Sequence, residues 1–274
     1  MPLKFAPYSF SKITTFTQCP KKFKFKYIDK IYFKSDNIAL EKGSYIHLLL
    51  EILANPSFAD SRKIDIVSTA MHVINKTQFK FSLSTEQDIK SHQKIFLNFI
   101  QSDIGHKYFI DYDIISAEEE FGIKWDNNNF DATSYYNKSA TIRGKVDQIS
   151  KNGNEIHIID WKSGKVPQEI SEMQIQLYAI WFFLKFKNID KVITSFVYIE
   201  HNKEKTVVYK RDDIPLIKKA YGRRIKEIEI ENSFNKKETH MCNWCEYRNK
   251  GLCDELSSFK NIKLQTQNSQ NKRL

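Results

Sequence analysis

Three features of this 274-residue chain argue for an α/β protein built on a central mixed sheet with helices on its faces. Apolar residues recur at helical spacing through about residue 102, then alternate two by two from about residue 114. A strongly apolar helical run, Ser171 to Lys185, separates two groups of strand-like segments. Hydrophobic residues at 41% and charged residues at 28% provide for both a core and a solvated surface, which excludes wholesale disorder.

In chain order, Ser9 and Ser11 can cap a short helix to about Thr17, and Pro20 can open a second through about Lys30. From Leu40 to Leu53, the residues Ile46, Leu49, Leu50 and Leu53 share one helical face. Further helix is predicted over 60–79 and 84–102. Phe121, Ile123 and Trp125 alternate within a strand over 114–125, and Asp126 to Asn129 form a turn. Ile142, Gly144 and Val146 alternate within 141–150. Asn152-Gly153 is a hairpin turn leading to a strand over 155–162. Strands over 191–200 and 206–211 follow the apolar helix, and a helix over 213–231 closes the pattern. No internal repeat is visible.

With 8 glycines and 6 prolines the chain is neither collagen-like nor of low complexity. No stretch approaches the roughly 20 apolar residues of a membrane span. Residues 1–5 lack the apolar core of a signal peptide. The expected compartment is the cytoplasm, that of the host if the chain is phage-encoded. The net charge of +10 sits at the ends. Residues 1–34 hold eight lysines and one acid, Asp29, and residues 260–274 hold three lysines, Arg273 and no acid. The N-terminal lysines, among them Lys12, Lys21, Lys22, Lys24 and Lys26, interleave with Phe16, Phe23, Phe25 and Tyr27. That pattern suits a phosphate backbone and unstacked bases. The alternative is a solvated lysine face over an aromatic core stripe.

The sharpest chemistry lies in the hairpin 141–162. Side chains two apart on a strand share a face, so Asp160 and Lys162 point the same way. The turn brings Asp147 of Gly144-Lys145-Val146-Asp147 beside Asp160. Two neighbouring carboxylates repel unless a cation lies between them, and Mg²⁺ takes few carboxylates while keeping water and phosphate oxygens in its shell. A lysine alongside can orient water or neutralise developing phosphorane charge. This is a set for phosphodiester hydrolysis. His47, with Glu51 one turn later, lies on the helix before the sheet, and Gln174 and Tyr178 fall at i and i+4 on the apolar helix. The chain has four cysteines: Cys19 beside the basic arm, then Cys242, Cys245 and Cys253. In a reducing compartment these read as metal ligands, for either a [4Fe–4S] cluster or Zn²⁺.

Taken in order, these segments resemble the PD-(D/E)XK nuclease superfamily, in particular its RecB/AddB-type branch with CRISPR-associated and phage exonuclease relatives. The matching elements are Gly43 and His47 of a Gly-x-x-x-His helix, Gly144 to Asp147 of a Gly-Lys-x-Asp strand, and Asp160, Lys162, Ser163 and Gly164 of an Asp-x-Lys-Ser-Gly strand end. Gln174 and Tyr178 match Gln-x-x-x-Tyr, and Ser9 to Phe23 match an N-terminal Ser-x-Ser…Cys-Pro-x-x-Phe element. The resemblance implies a restriction-endonuclease-like core and a Mg²⁺- or Mn²⁺-dependent DNA nuclease, an exonuclease on ends or single strands. It implies that Asp147, Asp160 and the backbone carbonyl of Trp161 hold the metal, and that His47 completes the metal site or binds the phosphate. Lys162 would orient water, and Gln174 and Tyr178 would position the strand. It further implies a [4Fe–4S] cluster on Cys19, Cys242, Cys245 and Cys253 that joins the two ends of the chain. The step from Cys245 to Cys253 is longer than the tight spacing of that cluster, so zinc is the runner-up.

The expected organisation is one domain over 1–259. It comprises a basic arm (1–34), a helical region (35–110), a catalytic sheet core (111–211) and a C-terminal helix with the cysteines (212–259), followed by a flexible tail (260–274). The expected partners are DNA and a separate helicase or recombination protein, since the chain has no G-x-x-x-x-G-K-[ST] motif. Two other readings were weighed: a non-catalytic nucleic-acid-binding module on the same fold, and a zinc-stapled interaction domain.

Overall fold

The computed structural model describes residues 3–33, 37–126, 130–168 and 171–253. The predicted tail over 260–274 and most of the predicted turn at 126–129 lie outside that set. Among the described residues the α-helices are α1 (Phe10–Gln18), α2 (Pro20–Phe23), α3 (Ile38–Ala54), α4 (Ala59–Ile64), α5 (Ile66–Lys76) and α6 (Glu86–Ile100). Then come α7 (Asp103–His106), α8 (Met173–Lys185), α9 (Ile214–Ile230) and α10 (Glu246–Asn249). The strands are β1 (Asp113–Trp125), β2 (Phe130–Thr133), β3 (Ile142–Asn152), β4 (Glu155–Lys162), β5 (Lys191–Tyr198) and β6 (Lys203–Lys210). The chain divides into two compact units, Met1–Phe10 with Ser35–Lys226 and Ser11–Lys34 with Glu227–Leu274.

The first unit carries a six-stranded mixed sheet in the order β2-β1-β3-β4-β5-β6. All neighbours are antiparallel except β4 and β5, whose parallel pairing uses α8 as the crossover. Asn152 pairs with Glu155, so the hairpin turns at Gly153-Asn154, one residue later than predicted. Gly153 takes φ +57, the left-handed conformation that such a turn demands and glycine supplies. The short edge strand β2 was not anticipated, because four residues are too few to show alternation. The helix predicted over 60–79 is broken at Asp65, which is extended and caps α5 by accepting the Ser68 N–H at 2.9 Å. Thr85 and Asp88 form a capping box that starts α6. The main core joins Leu49, Leu50 and Leu53 of α3, Phe96, Phe99 and Ile100 of α6, and Tyr108 and Phe109 to Ile159 and Trp161 of β4. The Trp161 ring stacks on Phe109 at 5.8 Å and meets Phe99 edge-on. This packing holds α3 and β4 rigidly, and each carries candidate site residues.

In the second unit, Pro20 opens a helical stretch continued by a π-helical turn over Lys24–Ile28. The arm's aromatics form this unit's core. Phe23 is fully buried, stacks on Phe234 and meets Phe16 edge-on, and Phe25 stacks on Tyr247. No helix among the described residues is long and apolar enough to cross a membrane.

Candidate active site

Five elements of the first unit converge: α3 with His47 and Glu51, β1 with Glu118, β3 with Lys145 and Asp147, β4 with Asp160 and Lys162, and α8 with Gln174 and Tyr178. The β3–β4 register pairs Gln148 with Ile159, so the next step along both strands sets Asp147 opposite Asp160. Two glycines let these elements close up. A Cβ on Gly43 would lie 2.9 Å from Ser163 Oγ at the end of β4, and one on Gly144 would lie 2.4 Å from the Phe121 ring. Nothing surrounds Gly164 closely enough to require glycine there.

Asp160, Lys162, Gln174 and Tyr178 form a closed ring. Lys162 Nζ contacts Asp160 Oδ2 and donates to Gln174 Oε1 at 2.9 Å. Gln174 Nε2 donates to the Tyr178 hydroxyl at 2.7 Å, and that hydroxyl donates to Asp160 Oδ1 at 3.0 Å. The i,i+2 spacing on β4 and the i,i+4 spacing on α8 thus supply one circuit, closed at Asp160 Oδ2 by an ion-pair contact, since that buried oxygen accepts no hydrogen bond among the described residues. Asp160 is only 2% exposed, so these partners offset the desolvation of its carboxylate. Burial and then the charges of Asp160 and Asp147 push the Tyr178 hydroxyl far above its ordinary range, which keeps it a donor.

Beside the ring, Asp147 Oδ2 accepts the Trp161 backbone N–H at 2.8 Å and lies 3.7 Å from His47 Nδ1. Burial, then the Asp160 charge, raises the Asp147 carboxyl well above its usual range. Burial lowers the His47 imidazole despite the opposing pull of Asp160 and Glu118. A neutral imidazole keeps a lone pair for a metal, and a carboxylate strained by its neighbour gains from a nearby cation. His47, Glu118 and Asp147 each offer a ligand atom, all within 4.8 Å of one another. That donor set of nitrogen and carboxylate oxygen fits a divalent cation. Asp160 falls outside this trio and is held in the ring.

Glu118 was missed. Its signal is faint, an acidic run Glu118–Glu120 on the strand that pairs with Gly144–Asp147. Its aim depends on a backbone φ of +55, unusual for a residue with a side chain. Such a conformation costs of order 1–3 kcal/mol and persists where surroundings impose it.

In the second unit, Cys19, Cys242, Cys245 and Cys253 are all free thiols and line one cavity together with Lys22, Lys237 and Trp244. The Lys237 N–H points to Cys19 Sγ at 3.5 Å and the Thr239 N–H to Cys242 Sγ at 3.4 Å. Burial, then the nearby Lys21, Cys19 and Cys245, govern Cys253, whose thiol is raised. Lys12, Lys21, Lys22, Lys24 and Lys26 are half-buried, and Lys30 is exposed. Lys24 pairs with Asp29 at 2.8 Å, Lys12 and Lys26 lie over the Tyr27 ring, and Lys21 lies over Phe25.

A mixed sheet with two facing carboxylates and a lysine at the end of one strand is an arrangement suited to phosphodiester chemistry. A model of the PD-(D/E)XK nuclease superfamily matches residues 7–253, and the chain belongs to that superfamily. No curated protein matches the sequence. One similar solved structure, titled "Crystal structure of SSO0001", is 12% identical, with a TM-score of 0.33 over 77% of this chain and 86% of that one. A likeness at that level carries no argument.

Proposed function

We propose that this chain is a Mg²⁺- or Mn²⁺-dependent DNA exonuclease of the RecB/AddB-like branch, acting on ends or single strands. The observation that carries the reading is the ring of Asp160, Lys162, Gln174 and Tyr178 set beside the donor trio. Asp147 and His47 would hold the cation, with Asp160 and the Trp161 carbonyl as further candidate ligands. When bound, the cation supplies positive charge to the phosphate oxygens as negative charge builds there. In hydrolysis a water oxygen joins phosphorus as the bond to the ester oxygen breaks; the water's proton passes to solvent, and the departing ester oxygen takes up a proton from solvent. Lys162, fixed by Gln174 and Asp160, directs its N–H donors at the water and the phosphate. Tyr178 fixes Asp160.

The four thiols of the second unit hold a [4Fe–4S] cluster, with Zn²⁺ as the runner-up. Four sulfurs around one cavity suit either, and backbone N–H groups aimed at sulfur are the surroundings that tune a cluster. The protein works in the cytoplasm on DNA opened by a separate helicase or recombination protein.

The test is cleavage of DNA with labelled 5′ or 3′ ends by anaerobically purified protein, with Mg²⁺, Mn²⁺ or EDTA, alongside iron and zinc analysis. Metal-dependent release of nucleotides from an end is expected, and loss of that release in Asp160→Ala while DNA binding survives. Cleavage that survives in EDTA or in Asp160→Ala would refute the site. Metal-free protein with full activity would refute the cysteine site.

A further inference from the structure

Three consecutive glutamates on β1 have three different fates. Glu119 pairs with Lys185 of α8 at 2.7 Å, and Glu120 accepts a hydrogen bond from the Tyr136 hydroxyl. Glu118 alone is turned by its left-handed backbone to within 4.8 Å of the ligand atoms of His47 and Asp147. Its carboxylate is in contact with the ammonium of Lys145, which lies two residues before Asp147 on β3. Glu51 of α3 completes the neighbourhood; its carboxyl is raised by burial and by the Glu118 charge, and lowered by Lys145. Glu118 therefore faces two cationic options, the ammonium it already touches and an ion held between His47 and Asp147. A carboxylate gives up a half-exposed lysine readily, because such a pair is screened by water.

We propose that Glu118 is an additional protein ligand of the divalent cation at His47 and Asp147, and that it exchanges Lys145 for that cation. Metal binding then breaks the Lys145–Glu118 contact and releases the ammonium toward a phosphate of the bound strand. The inference rests on the cation-dependent nuclease reading above. It makes Lys145 a positioning residue that competes with the metal before it serves the substrate.

The test is a double-mutant cycle on the full chain, reading Mn²⁺ affinity by electron paramagnetic resonance of the free ion, without DNA. Glu118→Gln is expected to weaken Mn²⁺ binding by about tenfold or more, the scale on which such supporting ligands act. Lys145→Met is expected to tighten Mn²⁺ binding by about threefold or more, as the loss of a screened competing pair allows. In a Glu118→Gln background that gain should vanish. Circular dichroism checks that each variant is folded, and Glu118→Ala substitutes if Glu118→Gln is not. Wild-type affinity in a folded Glu118 variant overturns the proposal. So does an equal gain from Lys145→Met with and without Glu118, since that would be general repulsion. Either result with metal-dependent cleavage intact leaves the nuclease reading standing; wild-type protein that neither binds Mn²⁺ nor cleaves removes both.

Discussion

At the scale of single residues, Tyr178 separates a chemical role from a packing one. Its ring is buried against Phe121, meeting it edge-on at 6.0 Å, while its hydroxyl accepts from Gln174 and donates to Asp160. Tyr178→Phe keeps the ring and deletes only the hydroxyl. It leaves Asp160 Oδ1 short of one donor and frees Gln174, the residue that holds Lys162. A hydrogen bond to a charged group contributes about 1.5–3 kcal/mol, which corresponds to a fall in turnover of roughly 10- to 100-fold. Steady-state cleavage rates should show that fall in kcat with KM little changed. A rise in KM alone would mean that Tyr178 grips the strand instead of fixing Asp160.

At the scale of elements, the β3–β4 pair carries a second polar feature on another stretch of its length. His157 of β4 pairs in register with Ser150, is nearly buried, and packs on the Tyr112 ring at 4.6 Å. Neither of its ring nitrogens has a hydrogen-bond partner among the described residues. Burial lowers its pKa, helped by Lys107 and Lys191 and opposed by Glu155 and Glu204. Burial lowers His92 of α6 in the same way. A histidine depressed in the folded state binds fewer protons than in the unfolded chain, whose value is about 6.5. Its contribution is therefore fully present above that pH and is lost as pH falls toward the folded value. Urea unfolding midpoints should drop between pH 7.5 and pH 5.5, and the drop should be shallower in His157→Phe. An unchanged pH slope in that variant would show that His157 is not the group responsible. The same pair of strands shows what sequence can disclose. Alternation over 141–150 and 155–162 gave the hairpin and set Asp147 near Asp160, because a two-residue period is local. The turn slipped by one residue, since either neighbour of Gly153 can complete the turn around it. Glu118 stayed hidden, because a single left-handed residue in a strand redirects a side chain in a way no periodicity records. The closed ring was half legible: the spacings Asp160/Lys162 and Gln174/Tyr178 were visible, but that α8 lies over β4 follows only from the crossover.

At the scale of the whole molecule, positive charge is gathered at the chain's ends, and the arm's lysines are unequal. The aromatics once read as stacking platforms for bases are packed against Phe234 and Tyr247, so the arm's contribution to DNA affinity should be electrostatic and independent of sequence. Lys24 is already paired with Asp29, and an ammonium that must leave a partner gains less from a phosphate. On single strands each neutralised phosphate contributes about 0.7 to the slope of log K against log salt. Replacing Lys21, Lys22, Lys24 and Lys26 with glutamine should weaken single-strand binding at low salt and flatten that slope by about 2 to 3, as three or four contacts predict. Lys24→Gln alone should move it less than Lys22→Gln. Fluorescence anisotropy across a salt series measures both quantities. A slope unchanged in the fourfold variant would make the arm a solvated face over an aromatic core. A slope changed equally by each lysine would mean that the Lys24–Asp29 pair opens when DNA binds.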